Sequence, residues 1–213
     1  VWFFAFKINC KANPAKCAGL FFGSVIGHIV TEKLMSDPQN KQALIVVDMQ
    51  NGLFYASQPP FEADRLLKNI NQLIAYAHLK HIPVFAIRHV GAANTAMAPH
   101  SPMTQLIEEL NIDHDLDQVL EKSRPNCFFQ TDLEQRLKSL NIQELIVCGL
   151  KTEFCIDSTC RAAKDLGFKV QLISDAHSTV DSAVLNAQLI IQHHHQTLSQ
   201  AFAQLKTCAE FCI

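Results

Sequence analysis

Leu145 to Asp175 reads LIVCGLKTEFCIDSTCRAAKDLGFKVQLISD, and its periodicity decides the fold. Leu145–Cys148 is a continuous apolar run bounded by Gly149, the pattern of a strand buried on both faces. The polar turn Lys151-Thr152-Glu153 follows. Cys155, Thr159 and Ala162 or Ala163 then fall on neighbouring turns of a helix, which Gly167 stops at a position where positive φ is usual. A second apolar run, Lys169–Ser174, leads into Asp175. The unit is β-α-β, which calls for parallel strands joined by a right-handed crossover. It also places Cys155 in the first turn of a helix, beyond the carboxyl end of a strand. Unpaired N–H groups and the positive end of the helix dipole favour an anion there, which lowers a thiol's pKa. A buried cysteine packs as a small hydrophobe just as readily. A base and a cation elsewhere are needed to make Cys155 a nucleophile.

Working outward, Ala43–Val47 is an apolar strand pattern that ends at Asp48. Asn51-Gly52 fits a simple turn after it, but a carboxylate here also stands at the edge where α/β sheets bind ligands. From Glu62 to Lys80, Leu66, Leu67, Ile70, Leu73, Ile74 and Ala77 recur at helical spacing. His78 and His81, near that helix's end, read as partners of its dipole. Pro83–Ile87 gives a second strand ending in Arg88-His89. Gly91 to Asp117 is a long connection with Pro99 and Pro102, of the kind that covers active sites. Asp117–Leu120 predicts a short third strand with Lys122 at its end, where a lysine is normally solvated. Thr131 and Glu134 have capping-box spacing. A long helix is expected from near Asp181. Its His193, His194 and His195 fan out by about 100° each, so they cannot close on one metal and read as a partly exposed face. The tail TCAEFCI has no readable pattern.

The 213 residues are 48% hydrophobic and 18% charged, enough apolar material for one globular domain with an ample core. A formal net charge of -2, without a basic stripe, excludes nucleic acid as an expected partner. The eight cysteines form no CxxC pair and no zinc spacing, so they read as thiols of a reducing, cytoplasmic protein. Residues 1–34 differ: VWFFAF and GLFFGSVIGHIV are apolar but shorter than the roughly 18 residues a membrane span needs. They are expected to be an extension, with the catalytic domain spanning 35–213 and no membrane partner. No GxGxxG, P-loop or GxSxG pattern occurs, so dinucleotide, NTPase and serine-hydrolase readings lose support.

Three strand-end residues now stand together: Asp48 in ALIVVDMQNGLF, Lys122 in EKSRPNCF and Cys155 in CGLKTEFCIDSTCRAA. Their combination, order and spacing resemble the isochorismatase-like cysteine hydrolases, which include nicotinamidases, N-carbamoylsarcosine amidase and ureidoacrylate hydrolases. The resemblance runs from 43 to about 203 and takes in IRHV, the FxxTDL helix start and the DAHST turn. It implies a three-layer αβα sandwich with a mostly parallel sheet, and an Asp48-Lys122-Cys155 triad cleaving a C–N bond through a thioester. It also implies an oxyanion hole from the backbone N–H groups of Lys151 and Cys155, beside a cis peptide at Leu150-Lys151. A homo-oligomer, dimer or tetramer, follows from the same resemblance. Family nicotinamidases carry a metal-binding Asp-x-His between the catalytic Asp and Lys. Here that interval has no such pair, so no metal and no other cofactor is expected, and nicotinamide is disfavoured as substrate. The expected partner is a small molecule with an amide, ureide or carbamoyl group. Leu53, Phe54, His89 and Phe128 are pocket candidates, each of which could equally be ordinary packing.

Two other readings stay open at this point. A catalytically silent protein of the same fold could bind a small molecule or a protein in the same cleft. A redox-sensing thiol pair, Cys155 and Cys160, is disfavoured because five residues along one helix turn the two side chains to different faces.

Overall fold

The computed structural model describes residues 41–213; the expected extension 1–34 and the domain boundary at 35 lie outside the described residues. Among the described residues six strands, β1 (Gln42–Val47), β2 (Val84–His89), β3 (Gln118–Lys122), β4 (Glu144–Leu150), β5 (Lys169–Ser178) and β6 (Gln204–Lys206), form one sheet. Their order is β3-β2-β1-β4-β5-β6. Every pairing is parallel, so the expected mostly parallel sheet is parallel throughout.

Alternation along β1 shows how the layers form. Ala43, Ile45 and Val47 enter one core with Leu133 and Leu137 of α3 (Leu133–Ser139), Cys160 and Ala163 of α4 (Asp157–Asp165), and Leu198 of α5 (Ala187–Ala201). Leu44 and Val46 enter the other with Leu66, Ile70, Leu73 and Ile74 of α2 (Ala63–Leu79). A short α1 (Asn51–Phe54) follows β1, and α6 (Cys208–Phe211) packs with the second core through Cys208. The result is a three-layer αβα sandwich. No helix among the described residues is long and apolar enough to cross a membrane.

The chain order leaves β1 and β4 adjacent while their crossovers run to opposite sides, the switch point at which a parallel sheet opens a crevice. Gly149 makes that junction possible. It has φ 115, and a Cβ there would stand 2.1 Å from the Val47 carbonyl oxygen. No side chain fits between β1 and β4 at this level.

Several local expectations change. The Thr131–Glu134 capping box does not form, because the N-cap is Asp132 and the helix starts at Leu133; the Thr131 hydroxyl donates to the Cys127 carbonyl at 2.6 Å and accepts from the Leu133 N–H at 3.5 Å. His78 stands in the last turn of α2, where a dipole partner belongs, and its Nε2 also lies 2.9 Å from Oδ1 of the buried Asp117 carboxylate. The last long helix begins at Ala187, not near Asp181, since Asp181 Oδ1 accepts from the Ala187 N–H across a turn. β6 comes just before the unreadable tail, and the tail supplies α6, with a capping box between Thr207 and Glu210.

Candidate active site

Asp48 follows β1 in the left-handed region at φ 52, a conformation aspartate tolerates better than most residues. Its N–H donates to the Ile87 carbonyl at 2.9 Å, tying it to β2. Lys122 is the last residue of β3, in register with His89 at the end of β2. Its ammonium crosses above β2 and donates to Asp48 Oδ2 at 2.7 Å and to Cys155 Sγ at 3.1 Å. His89 Nδ1 lies 3.3 Å from the same nitrogen. The lysine expected to be solvated is therefore buried, with 2% of its surface exposed. The three residues come from β1, β3 and the turn after β4, and the sheet order alone brings them to one edge.

Cys155 sits in a π-helical turn, Thr152–Ile156, that precedes α4. In it the Ile156 N–H donates to the Lys151 carbonyl at 3.1 Å. The peptide Leu150-Lys151 is cis, at the position the resemblance implied.

Electrostatics correct one expectation. Burial, reinforced by the charge of Asp48, pushes the Cys155 thiol up to about 12 against the pull of Lys122. This push opposes the helix-end effect expected to lower the thiol and favours its protonated form at rest. Burial also raises Asp48, opposed chiefly by Lys122. For Lys122 burial works against the charge, but Asp48 and the neighbouring thiols outweigh it and hold the pKa up. The two share a charge-assisted contact at 2.7 Å, which keeps the ammonium and the carboxylate ionised. Burial and Lys122 lower His89, which is neutral and presents a lone pair to the ammonium. One oxygen, Asp48 Oδ1, is buried without a hydrogen-bond partner. Cys155 Sγ lies within 4.8 Å of the carboxylate.

The raised thiol makes a direct prediction. Alkylation of Cys155 by iodoacetamide should rise about tenfold per pH unit from pH 7 to 10, without levelling near the ordinary thiol value. Peptide mass spectrometry reads this, and a plateau below pH 8 would show a thiol that is lowered instead.

Asp48, His89 and Cys155 could together offer a metal three donor atoms. The Lys122 nitrogen, however, stands 2.7, 3.3 and 3.1 Å from these three residues. An ammonium already fills the place of a cation, and a metal would have to displace it and meet its repulsion.

Among the remaining pocket candidates, Phe54 is buried edge-on to Tyr55 and Leu53 packs against the second core. Phe128 stacks on Phe168 with centroids 6.1 Å apart. Gln50 is a residue the sequence reading passed over. Fully buried, it accepts from the His89 N–H at 2.8 Å and donates to the carbonyls of His89 and Thr104 at 3.0 and 2.7 Å. It thereby clamps the end of β2 and the long 91–117 connection beside Asp48. A glutamine two residues past a strand-end aspartate was the available signal. A cavity of about 300 Å³ lies instead between α2, β5 and α5, and none of the triad lines it. Side-chain geometry rather than cavity size identifies the reactive centre.

Comparison with known proteins identifies the family and the fold. The isochorismatase domain family matches residues 42–210. YddQ, an uncharacterized isochorismatase family protein of Bacillus subtilis (strain 168), is 30% identical over 176 residues, covering 79% of this chain and 97% of that protein. Nicotinamidase 3 of Arabidopsis thaliana is 27% identical over 186 residues, covering 81% of this chain and 88% of the other. A solved isochorismatase family protein superposes with a TM-score of 0.74 at 31% identity, covering 79% of this chain and 99% of that one.

Proposed function

Since the chain belongs to the isochorismatase family, we propose that it is a cysteine hydrolase that cleaves an amide, ureide or carbamoyl C–N bond of a small molecule. The observation that carries this reading is the single ammonium of Lys122 donating at once to Asp48 Oδ2 and Cys155 Sγ. That contact links a base, a cation and a nucleophile inside a buried site.

In the proposed cycle Asp48 Oδ1, the unpartnered oxygen, takes the thiol proton as the sulfur attacks the substrate carbonyl carbon. With the thiol held at about 12, transfer is coupled to attack rather than completed beforehand. Lys122 stabilises the negative charge as it moves from carboxylate to sulfur. The N–H groups of Lys151 and Cys155 receive the oxyanion. Asp48 returns the proton to the leaving nitrogen, the C–N bond breaks, and a thioester remains. Water then attacks the thioester with Asp48 as its base, releasing the acid and restoring the thiol. The charges of Asp48 and Lys122 cancel, so the resting centre is neutral and suits a neutral carbonyl group.

A screen for ammonia release across amides, ureides and carbamoyl amino acids, run in the presence of a chelator, tests the reading. At least one compound should be hydrolysed, since Lys122 occupies the cation position. Release that appears only when a particular metal is supplied would overturn the metal-free mechanism.

A further inference from the structure

A second polar chain, buried at Thr152 and His177 and half-buried at His195, runs from the catalytic turn to α5. Thr152, fully buried, opens the π-helical turn that carries Cys155. Its Oγ1 lies 2.9 Å from Nδ1 of His177. His177, 4% exposed, is on β5 in register with Gly149. Its Nε2 lies 2.9 Å from Nε2 of His195 on α5, the two rings at 81°. His195 in turn hydrogen-bonds the backbone of Ser174, a contact that favours the protonated ring and so marks His195 as the donor there. The histidine triplet is therefore not simply an exposed face. His193 is exposed, His194 bonds the Ile190 carbonyl within its own helix, and His195 turns inward.

One arrangement of protons satisfies every link. A carbonyl only accepts, so the His195 nitrogen at Ser174 carries the hydrogen and its Nε2 is bare. His177 must then donate from its own Nε2, which leaves its Nδ1 as an acceptor. The Thr152 hydroxyl is thus obliged to donate to His177. Burial keeps both imidazoles neutral, so the direction of the chain is fixed.

This geometry points to His177 and His195 as positioning residues: they orient Thr152, and through it the turn that presents Cys155 and the Lys151 amide. A π-helical turn has poorer hydrogen-bond geometry than an α-helix and occurs where a site re-aims its backbone. An anchor outside the turn is what keeps it in one conformation. Apolar side chains could fill the same space at less desolvation cost, so the polar chain is a directional device rather than packing. The inference rests on the proposed function only in taking Cys155 as the nucleophile.

The test uses Thr152→Val, Thr152→Ser, His195→Ala and the Thr152→Val/His195→Ala pair, all at a temperature where circular dichroism shows each folded. Two readouts are taken: turnover of the compound that the wild type hydrolyses, and the rate of Cys155 alkylation by iodoacetamide. Thr152→Val should lower kcat about tenfold or more with KM within about threefold, because a small misplacement of a nucleophile costs mainly rate. Its alkylation rate should differ from wild type at least about threefold, and Thr152→Ser should restore both. Because either substitution cuts the same chain, the pair should lose no more than Thr152→Val alone. Wild-type kcat and alkylation in Thr152→Val, or losses that multiply in the pair, would overturn the inference. If a Cys155→Ala enzyme still turns over, the proposed function has failed, and the alkylation rates alone decide the role of the histidines.

Discussion

Replacing Cys155 by alanine should lower hydrolysis by at least about 10³-fold, and Asp48→Asn or Lys122→Met should do nearly the same. The losses should not multiply when combined, because base, cation and nucleophile act on one proton and one charge. Stability separates the three variants. Asp48 and Lys122 pair in a site where their side chains are 1% and 0% exposed. Removing one partner strands a buried charge, at a cost of about 3–5 kcal/mol. The Asp48→Asn/Lys122→Met protein should therefore be more stable than the sum of its single changes predicts, while remaining inactive. Cys155→Ala removes no charge and should unfold close to wild type. Urea unfolding with steady-state assays reads both effects. Additive destabilisation in the double variant would mean that the charges are not coupled.

Gly149→Ala should lower the melting temperature by about 10 °C or leave the protein insoluble. The added Cβ would meet the Val47 carbonyl oxygen, nitrogen and carbonyl carbon at 2.1, 2.7 and 2.9 Å. All three are backbone atoms of a central strand, so relief requires β1 and β4 to part. Overpacking of this kind with a strained φ costs about 3 kcal/mol or more, and about 2–4 °C is lost per kcal/mol in a domain of this size. Gly167 supplies the control. It has φ 91, but a Cβ added there would meet nothing within 4 Å, so Gly167→Ala should cost only the backbone strain, about 1 kcal/mol. Equal melting temperatures for the two variants would show that the close approach of β1 and β4 is not what constrains Gly149.

The layers were legible because strand alternation and helix spacing are local. Ala43–Val47 and Leu145–Cys148 each carry enough apolar side chains to declare a buried strand, and the β-α-β connection then fixes parallel pairing. Asp48, Lys122 and Cys155 stand at or just beyond strand ends, where a parallel sheet gathers chemistry, and the resemblance of the motifs around them is what joined the three into one triad. Their separation was not legible. Lys122 alone reads as a solvated lysine, and only the sheet order lets it reach over β2. The thiol's protonation escapes the sequence for a similar reason: the helix end is visible locally, whereas burial and the nearby Asp48 charge are properties of the assembled fold. Thr131 shows that a capping signature can sit one residue ahead of the true N-cap, Asp132. His177 and His195 lie 18 residues apart in sequence, and nothing in the pattern between them announces a contact. Gln204–Lys206 has too few residues for any periodicity to show.

The central claim is that the substrate's acyl part becomes bonded to Cys155, and an acid quench during turnover measures it most directly. Wild-type protein mixed with a hydrolysed compound in excess should, after quenching and digestion, yield a fraction of the Cys155 peptide heavier by the acyl group. That adduct should decay at a rate no slower than kcat and be absent from Cys155→Ala. Turnover with the Cys155 peptide always unmodified, together with hydrolysis by Cys155→Ala at the wild-type rate, would contradict the account.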